Sequence, residues 1–395
     1  MYKKIVFALC EFILLSFGLI AQSTSIESIL REVEQNNQEL KALSQYTESK
    51  AFELKSANNL PDPQLGAYYL PFGEHSTGDY SEIQVSQSFE FPTVYSARRN
   101  LIDKQTSQLL LDYQARRQEI LAQAKAYCLN LIYLNKRLTT ETLRVGQAKQ
   151  VFEQAQVLYE KEQVGILELN KAKVAWMQEQ FKIQQIESDQ RNTILLLKHL
   201  NGGAEIRFSP DEYALSLDLA DKNVVWQEKQ LQDAELVKLR QQEGIAQQSL
   251  RLVRNRTIPN LTAGFNSQGV AGERFSGVFA GISIPLWSNR NKVKAAQAQV
   301  DFQQSINISL SLQAYSALEK QYNDYEIMLA KFQEYEATLS GLNSDDLLLY
   351  AYQLGELSFL EYYMELKFYR HAYDTMLDMQ YQLYVSQTQL LKHQL

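Results

Sequence analysis

The chain has 395 residues but only 7 prolines and 16 glycines, with 45% hydrophobic and 22% charged residues. So little Pro and Gly argues against a string of small α/β or all-β domains, whose turns need both residues at regular intervals. The formal net charge is −7, which lacks the basic excess of nucleic-acid-binding proteins, and no nucleic-acid partner is expected. The composition therefore favours long helices.

The first 21 residues have the pattern of an export signal. Lys3 and Lys4 form a basic start, residues 5–20 are largely apolar, and Ala21 precedes a candidate cleavage point at Gln22. Residues 1–21 are therefore interpreted as a signal peptide. The mature chain would then keep one cysteine, Cys128, so packing or oligomerisation rather than a disulfide must hold it together.

The rest of the chain contains two copies of one unit. Three pairs of segments match in the same order, at offsets of about 190 to 196 residues: Pro63–Tyr69 with Pro259–Phe265, Phe89–Pro92 with Ile282–Pro285, and Gly165 with Gly355. Such a series indicates internal duplication. We expect a first repeat at 22–200, a connecting segment at 201–222 and a second repeat at 223–395.

Each repeat contains two segments in which apolar and polar residues alternate, which is typical of a half-buried strand. The predicted strands lie at about 63–70, 82–91, 259–267 and 275–285. If they lie in a membrane, the apolar face meets lipid, and we assign to it Leu65, Tyr69, Ile83, Val85, Phe89, Phe91, Val278, Ile282 and Ile284. The side chains assigned to the water-facing side are Glu82, Gln84, Ser86, Ser88 and Glu90.

The segments between the strands carry apolar residues at seven-residue spacing, which is typical of coiled coils. One such series is Ala124, Leu131, Leu138, Val145, Phe152 and Tyr159. A helix running unbroken from Tyr95 to Glu160 would be on the order of 100 Å long, far longer than a small domain needs. The fold class predicted is mainly α: a duplicated helix-strand-strand-helix-helix unit with long helices and four strands.

Four strands are too few to close a barrel, for which about eight is the smallest number. An open sheet edge is not tolerated in lipid. If the strands span a membrane, at least two chains must therefore contribute to one barrel, and polar side chains on the inner face would hold a water-filled lumen. Long helices extending that lumen would make the assembly a duct.

With these features the chain resembles the TolC family of outer-membrane efflux proteins over nearly all of its mature length. The resemblance rests on the duplicated unit, on strand ends that lead directly into helices, and on two glycine turns. The segments that carry it are Phe91–Pro92, Ile284–Pro285, Val164–Gly165–Ile166 and Leu354–Gly355–Glu356. The opening Pro61–Asp62–Pro63 and the segment Val85–Pro92 look most like the branch paired with heavy-metal exporters of the resistance-nodulation-division type.

The resemblance implies a homotrimer with one outer-membrane β-barrel and an α-helical tunnel in the periplasm of a Gram-negative bacterium. It also implies a periplasmic adaptor protein, an inner-membrane pump and passive conduction in a tripartite efflux or type I secretion system. In the family the glycine turns dock on the adaptor, which assigns the tip to Val164, Gly165, Ile166, Leu354, Gly355 and Glu356. By count from Gly355, the resemblance implies Tyr352 and Glu361 at a closed gate, with Lys171 where the family has an aspartate. Glu365 is assigned to the gate as well, because it lies one helical turn from Glu361 on the same helix face.

Two other classes of function remain open at this point. An exported periplasmic coiled-coil scaffold accounts for the heptads but leaves the alternating strands unexplained. An enzyme is disfavoured, since the four histidines have no evident nucleophile or ligand partners. His371, Asp374 and Asp378 lie at helical spacing and could meet a metal ion, but a solvated helix face is the favoured interpretation. We predict no catalytic, metal or cofactor site, and the transported substrate is left open.

Overall fold

The computed structural model describes residues 25–70, 80–214, 216–270, 272–342 and 344–395. The predicted signal peptide lies outside these residues. The elements of the first repeat are α1 (Ile26–Asn36), α2 (Gln38–Ser56), β1 (Gln64–Leu70), β2 (Tyr80–Phe89), α3 (Pro92–Glu160) and α4 (Ile166–Leu200). Those of the second are α5 (Lys222–Gln232), α6 (Ala234–Asn255), β3 (Asn260–Val270), β4 (Glu273–Ser283), α7 (Lys292–Leu339), α8 (Ser344–Gln353) and α9 (Phe359–Leu390), followed by a short 3-10 helix, Lys392–Gln394. The predicted succession of helices, two strands and further helices is confirmed in both halves.

The predicted long helix is also confirmed, because α3 runs unbroken for 69 residues. It begins at Pro92, a favoured first position since the ring presets φ and the missing N–H would have no helical partner. In the second repeat the corresponding stretch is interrupted between Leu339 and Ser344, beside Gly341. Among the described helices there is none with both the length and the apolar character needed to cross a membrane.

The four strands form one antiparallel sheet in the order β1-β2-β3-β4. β2 pairs with β3, so the sheet joins strands of both repeats. The register sets Leu65 opposite Val85, Val85 opposite Phe265, and Phe265 opposite Val278. Each of these partners therefore points to the same face of the sheet.

The chain divides into two compact units that do not coincide with the two repeats. The helical unit contains the described residues up to Lys41 with Arg117–Gln227 and Ala317–Leu395, and the strand-bearing unit contains Ala42–Arg116 and Glu228–Ser316. Each unit takes segments from both halves of the sequence. The predicted repeat boundaries at 200 and 223 do not coincide with the boundaries of the compact units. They remain a prediction about the duplication of the sequence.

Two apolar clusters among the described residues lie in the helical unit. In the first, Val151, Ala155, Ala172 and Ala175 of α3 and α4 pack against aromatic side chains of α8 and α9. The second surrounds Tyr325 of α7, and there the hydroxyl of Tyr322 donates a hydrogen bond of 3.0 Å to the carbonyl of Ala220. Such contacts hold the connecting segment between α4 and α5, which has no helix or strand among its described residues.

Cys128 lies in the interior of the helical unit as a free thiol. Burial raises its pKa to about 12, because an apolar environment disfavours the thiolate. A thiol in this state is a packing residue rather than a nucleophile.

Candidate functional site

The sheet has one predominantly apolar face and one predominantly polar face. On the apolar face, the row Leu65–Val85–Phe265–Val278 crosses all four strands. Leu65 is 76% exposed and Val278 87% exposed. Other side chains assigned to lipid share this face by strand alternation: Tyr69, Ile83, Phe89 and Ile282. The register thus brings the predicted set together across the two repeats.

The opposite face carries the polar side chains of β2 and β3. Glu82 accepts a hydrogen bond of 2.8 Å from the side-chain amide of Asn266 and another from the hydroxyl of Tyr80. Closer to the helices, the hydroxyls of Ser88 and Thr262 lie 3.3 Å apart. Gln84 and Ser86 share this face. Hydrogen bonds within β2 and between β2 and β3 thus hold polar side chains in place on this face.

Two residues predicted at the end of the second strand lie beyond β2. β2 ends at Phe89, and Phe91 instead packs in a cluster with Val94, Ala97 and Leu252. Glu90 is half-buried and forms ion pairs with Arg98 and Arg256. Both residues lie beyond the strand, so strand alternation does not assign them to a face, and their lipid and water assignments remain predictions. Ile284 also lies beyond its strand but is exposed.

The turn between α3 and α4 and the turn between α8 and α9 have the same backbone arrangement. The residues that correspond in structure are not the ones that the sequence match paired. Gly355 has φ of +78°, and the N–H of Glu356 donates to the carbonyl of Ala351, five residues back. In the first turn the left-handed residue is Glu162, with φ of +60°, and the next N–H again reaches five residues back. This is the Schellman arrangement, in which a left-handed residue ends the helix.

Gly165 has a different role from the one predicted for it. Its φ is −82°, and it is the N-cap of α4, as Ser358 is the N-cap of α9. Structure therefore pairs Glu162 with Gly355 and Gly165 with Ser358, three residues out of step with the glycine-to-glycine match. The expectation that glycine allows the chain to reverse holds for Gly355 and is wrong for Gly165.

The predicted tip residues lie at these two turns. Ile166 and Leu354 are exposed large apolar side chains, and Gly165, Gly355 and Glu356 are exposed as well. Val164 is half-buried. The helical unit therefore presents apolar surface at both turns.

Among the predicted gate residues, Tyr352 is in a different environment from the one expected. It is only 6% exposed and stacks on Tyr362 at 5.1 Å between ring centroids, with Phe359 at its edge. Burial, with a smaller contribution from Glu168, raises the pKa of Tyr352. Within this chain the ring is part of the apolar cluster, because α8 folds back on α9 at Gly355.

The carboxylates predicted at the gate lie at the start of α9. Glu361 forms a capping box: its carboxylate accepts from the N–H of Ser358 at 2.9 Å, and its own N–H donates to the Ser358 hydroxyl at 3.3 Å. The hydrogen bond from the Ser358 backbone lowers the pKa of Glu361. Glu365 and Lys171 are exposed. A local structural role thus accounts for the acidic residue at position 361.

The helical unit also contains a buried cluster of charges. Arg144 of α3 lies 2.7 Å from the carboxylate of Glu141 and 2.8 Å from that of Asp374 on α9. Arg370 of α9 lies 3.6 Å from Glu179 on α4 and 3.1 Å from Asp345 on α8. Helices α3, α4, α8 and α9 are therefore joined by ion pairs as well as by apolar contacts.

The pKa values of two carboxyls in this cluster are shifted in opposite directions. It raises the pKa of Glu141 above its ordinary value, against the attraction of Arg144 and Lys182. For Glu179 burial acts in the same upward direction, but the hydrogen bond and charge of Lys182, whose ammonium lies 2.9 Å away, hold its pKa below the ordinary range. The sequence indicates this cluster only weakly. Glu141 and Arg144 are three residues apart, a spacing that is also typical of an ordinary ion pair on a helix surface.

The residues considered as metal ligands do not converge. Asp374 pairs with Arg144, Asp378 accepts a hydrogen bond from Tyr133, and His371 is exposed. In the part of the chain that the structure describes, no group of three or more His, Cys, Asp or Glu side chains is arranged to hold a metal ion.

Comparison with solved structures identifies the fold. The structure is similar to a membrane protein from Pseudomonas aeruginosa, with a TM-score of 0.79 and 13% identity over 93% of both chains. It is also similar to the outer membrane protein VceC from Vibrio cholerae, with a TM-score of 0.74 and 14% identity over 93% of this chain and 95% of that one. For the Campylobacter jejuni CmeC outer membrane channel the TM-score is 0.69, with 14% identity over 93% of this chain and 85% of that one.

Sequence comparison adds nothing to this result. No family model matches the chain. No curated protein sequence matches it either. At identities this low, the comparison shows a shared backbone fold. The chain has the TolC-like fold.

Proposed function

We propose that this protein is the outer-membrane duct of a tripartite export system in a Gram-negative bacterium, conducting substrates passively from the periplasm to the outside. The observation that carries the proposal is the sheet, which has one exposed apolar face, one polar face and two open edges, in a chain with the TolC-like fold. Neighbours with this fold include proteins named as outer membrane channels.

The edges of the sheet require other copies of the chain. β1 and β4 are the outer strands of the described sheet, and a sheet edge cannot remain open in lipid, because each unsatisfied backbone group costs several kcal/mol. Edge-to-edge pairing between copies removes this cost. Such closure supports the homotrimer that the resemblance implies.

The exposed apolar turns support contact with a periplasmic adaptor. Ile166 and Leu354 would be the anchoring side chains, and an inner-membrane pump would act through that adaptor. A pump of the resistance-nodulation-division type, in the heavy-metal branch, is the partner that the sequence resemblance favours. Cysteines placed at Ile166 or Glu356 should form disulfides with cysteines on the adaptor, and labelling of the same cysteines from outside the cell would contradict this orientation.

Of the gate residues predicted from the sequence, the two glutamates remain in the proposal. Glu361 and Glu365 are exposed one helical turn apart and would form rings of carboxylates around a three-fold axis, favouring cations over anions. Tyr352 is left out, since it is buried within its own chain. In planar bilayers, Glu361→Gln should weaken cation selectivity, whereas unchanged selectivity would remove the support for the ring.

A direct test of the duct is membrane fractionation followed by gel electrophoresis with and without heating. We expect the protein in the outer-membrane fraction, as a trimer that dissociates only on heating. An extended soluble dimer in the periplasm would instead identify a coiled-coil scaffold and contradict the proposal.

A further inference from the structure

The polar face of the sheet carries aromatic rings in addition to the polar side chains of β2 and β3. Tyr68 pairs with Glu82, and Gln268 pairs with Phe275, which puts all four in one row on this face. Tyr68 is 54% exposed and Phe275 63% exposed. Phe279 stands on the same face, four residues further along β4. A strict alternation of apolar and polar residues along the strands would put no exposed aromatic side chain on the polar face.

Glycines provide space for two of these rings. Phe279 lies over Gly264, where a Cβ atom would be 2.5 Å from the ring. The ring of Tyr68 lies 3.5 Å from the position a Cβ would take at Gly66. Both rings therefore occupy space that a side chain in place of the glycine would fill.

The charge of this face is exclusively acidic within the described strands. Glu82 and Glu273 point to it, whereas Arg274, the one basic residue of the four strands, points to the other face. Asn266 and Tyr80 hold the Glu82 carboxylate in place. A carboxylate held in place among aromatic rings, on a face without a basic side chain in the described strands, is suited to a cation that also has an apolar surface.

We propose that this face is a binding site for organic cations with an aromatic or apolar body, formed by Tyr68, Phe275, Phe279, Glu82 and Glu273. The site rests on the proposed function, because it requires the polar face to line a lumen. With strands about 4.8 Å apart, Glu82 lies beside Tyr68, and Phe275 stands on the far edge. Pairing of β4 with β1 of a second copy would place the two ring-bearing edge strands side by side and complete the site.

Single-channel recording on the purified full-length protein in planar bilayers tests this site. The probe is tetraphenylphosphonium, and tetraphenylborate serves as an anion of similar size. We expect the cation to interrupt the current and the anion to leave it unchanged. Glu82→Gln and Phe275→Leu should each raise the half-blocking concentration at least about fivefold, whereas the control Phe265→Leu, on the other face, should not.

Equal block by both ions would show a merely apolar surface, such as one that meets lipid, and would overturn the site. So would a conducting channel that neither ion blocks, or one that the variants do not alter. If an assembled protein carries no current, the proposed function fails separately. Equilibrium dialysis of tetraphenylphosphonium against the assembled protein then decides the site: saturable binding that is weakened in Phe275→Leu supports it, and its absence overturns it.

Discussion

Arg370 shows how a single buried side chain links several helices. Its guanidinium lies next to Glu179 and Asp345 and donates a hydrogen bond of 2.6 Å to the side-chain oxygen of Gln147. It therefore ties α9 to α3, α4 and α8. A buried ion pair adds little net stability relative to an apolar core, but loss of one partner leaves a buried charge without compensation.

Replacement of Arg370 should therefore destabilise the helical unit strongly. We expect Arg370→Leu to lower the free energy of unfolding by about 3–5 kcal/mol, measured by chemical denaturation of the purified protein. The matched control is Arg191→Leu, because Arg191 lies 4.0 Å from Glu187 and both side chains are exposed. Its effect should stay below about 1 kcal/mol. Similar losses in the two variants would mean that the cluster is not coupled to folding.

Glu34 and Arg117 should make stability depend on pH in acid. Arg117 donates two hydrogen bonds to the Glu34 carboxylate, at 2.6 and 2.8 Å, and they lower the pKa of Glu34 in the folded chain. Below an unfolded pKa near 4.3, the unfolded chain takes up the proton first. The stabilisation is therefore present above that pH and is lost as pH falls through the lower folded pKa.

The test compares the melting temperatures of the wild-type protein and the Glu34→Gln variant between roughly pH 3 and 5. The variant should melt at a lower temperature at the upper end of this range, and the difference should shrink toward the lower end. Parallel curves over the whole range would show that this carboxylate does not contribute.

At the scale of elements, the two helical turns have the same geometry with different residues in it. A strained non-glycine residue, Glu162, occupies the left-handed position in the first turn, and Gly355 occupies it in the second. The sequence placed a glycine near each turn correctly, but the position of Gly165 relative to the helix end depends on backbone angles. Residue spacing in the sequence does not determine those angles.

Substitutions at the turns should follow the observed φ angles rather than the glycine match. Gly355→Ala should cost about 1 kcal/mol, since a Cβ is disfavoured in the left-handed region. Gly165→Ala, with φ of −82° and nothing within 4 Å of the added Cβ, should cost less, because only the poorer N-cap preference of alanine opposes it. Glu162→Gly should stabilise by up to about 1 kcal/mol. Thermal denaturation measures all three, and equal costs for the two alanine variants would contradict the assigned turn geometry.

At the scale of the whole molecule, the proposed duct depends on which face of the sheet meets lipid. Val85 lies on the apolar face and Ser86, the next residue, on the polar one. An arginine on a lipid-facing strand costs about 2–4 kcal/mol near the midplane, and much less toward the lumen. Val85→Arg should therefore destabilise the refolded protein in lipid vesicles by that amount. Ser86→Arg should have a clearly smaller effect, and an inverse order would show that the faces are exchanged.

The sequence by itself determined the features that repeat over short distances: the long helices, the four strands, their two faces and the duplication. Periodicity of two or seven residues directly reflects how a strand or helix packs. Only the tertiary structure decided that Tyr352 is buried, that Phe91 lies beyond the strand, and that Glu141, Arg144, Glu179 and Arg370 meet. The ion pairs that join α9 to α3 and α4 connect residues about 190 to 230 positions apart, and a buried charge is stable only where the fold supplies its partner, which spacing in the sequence does not show.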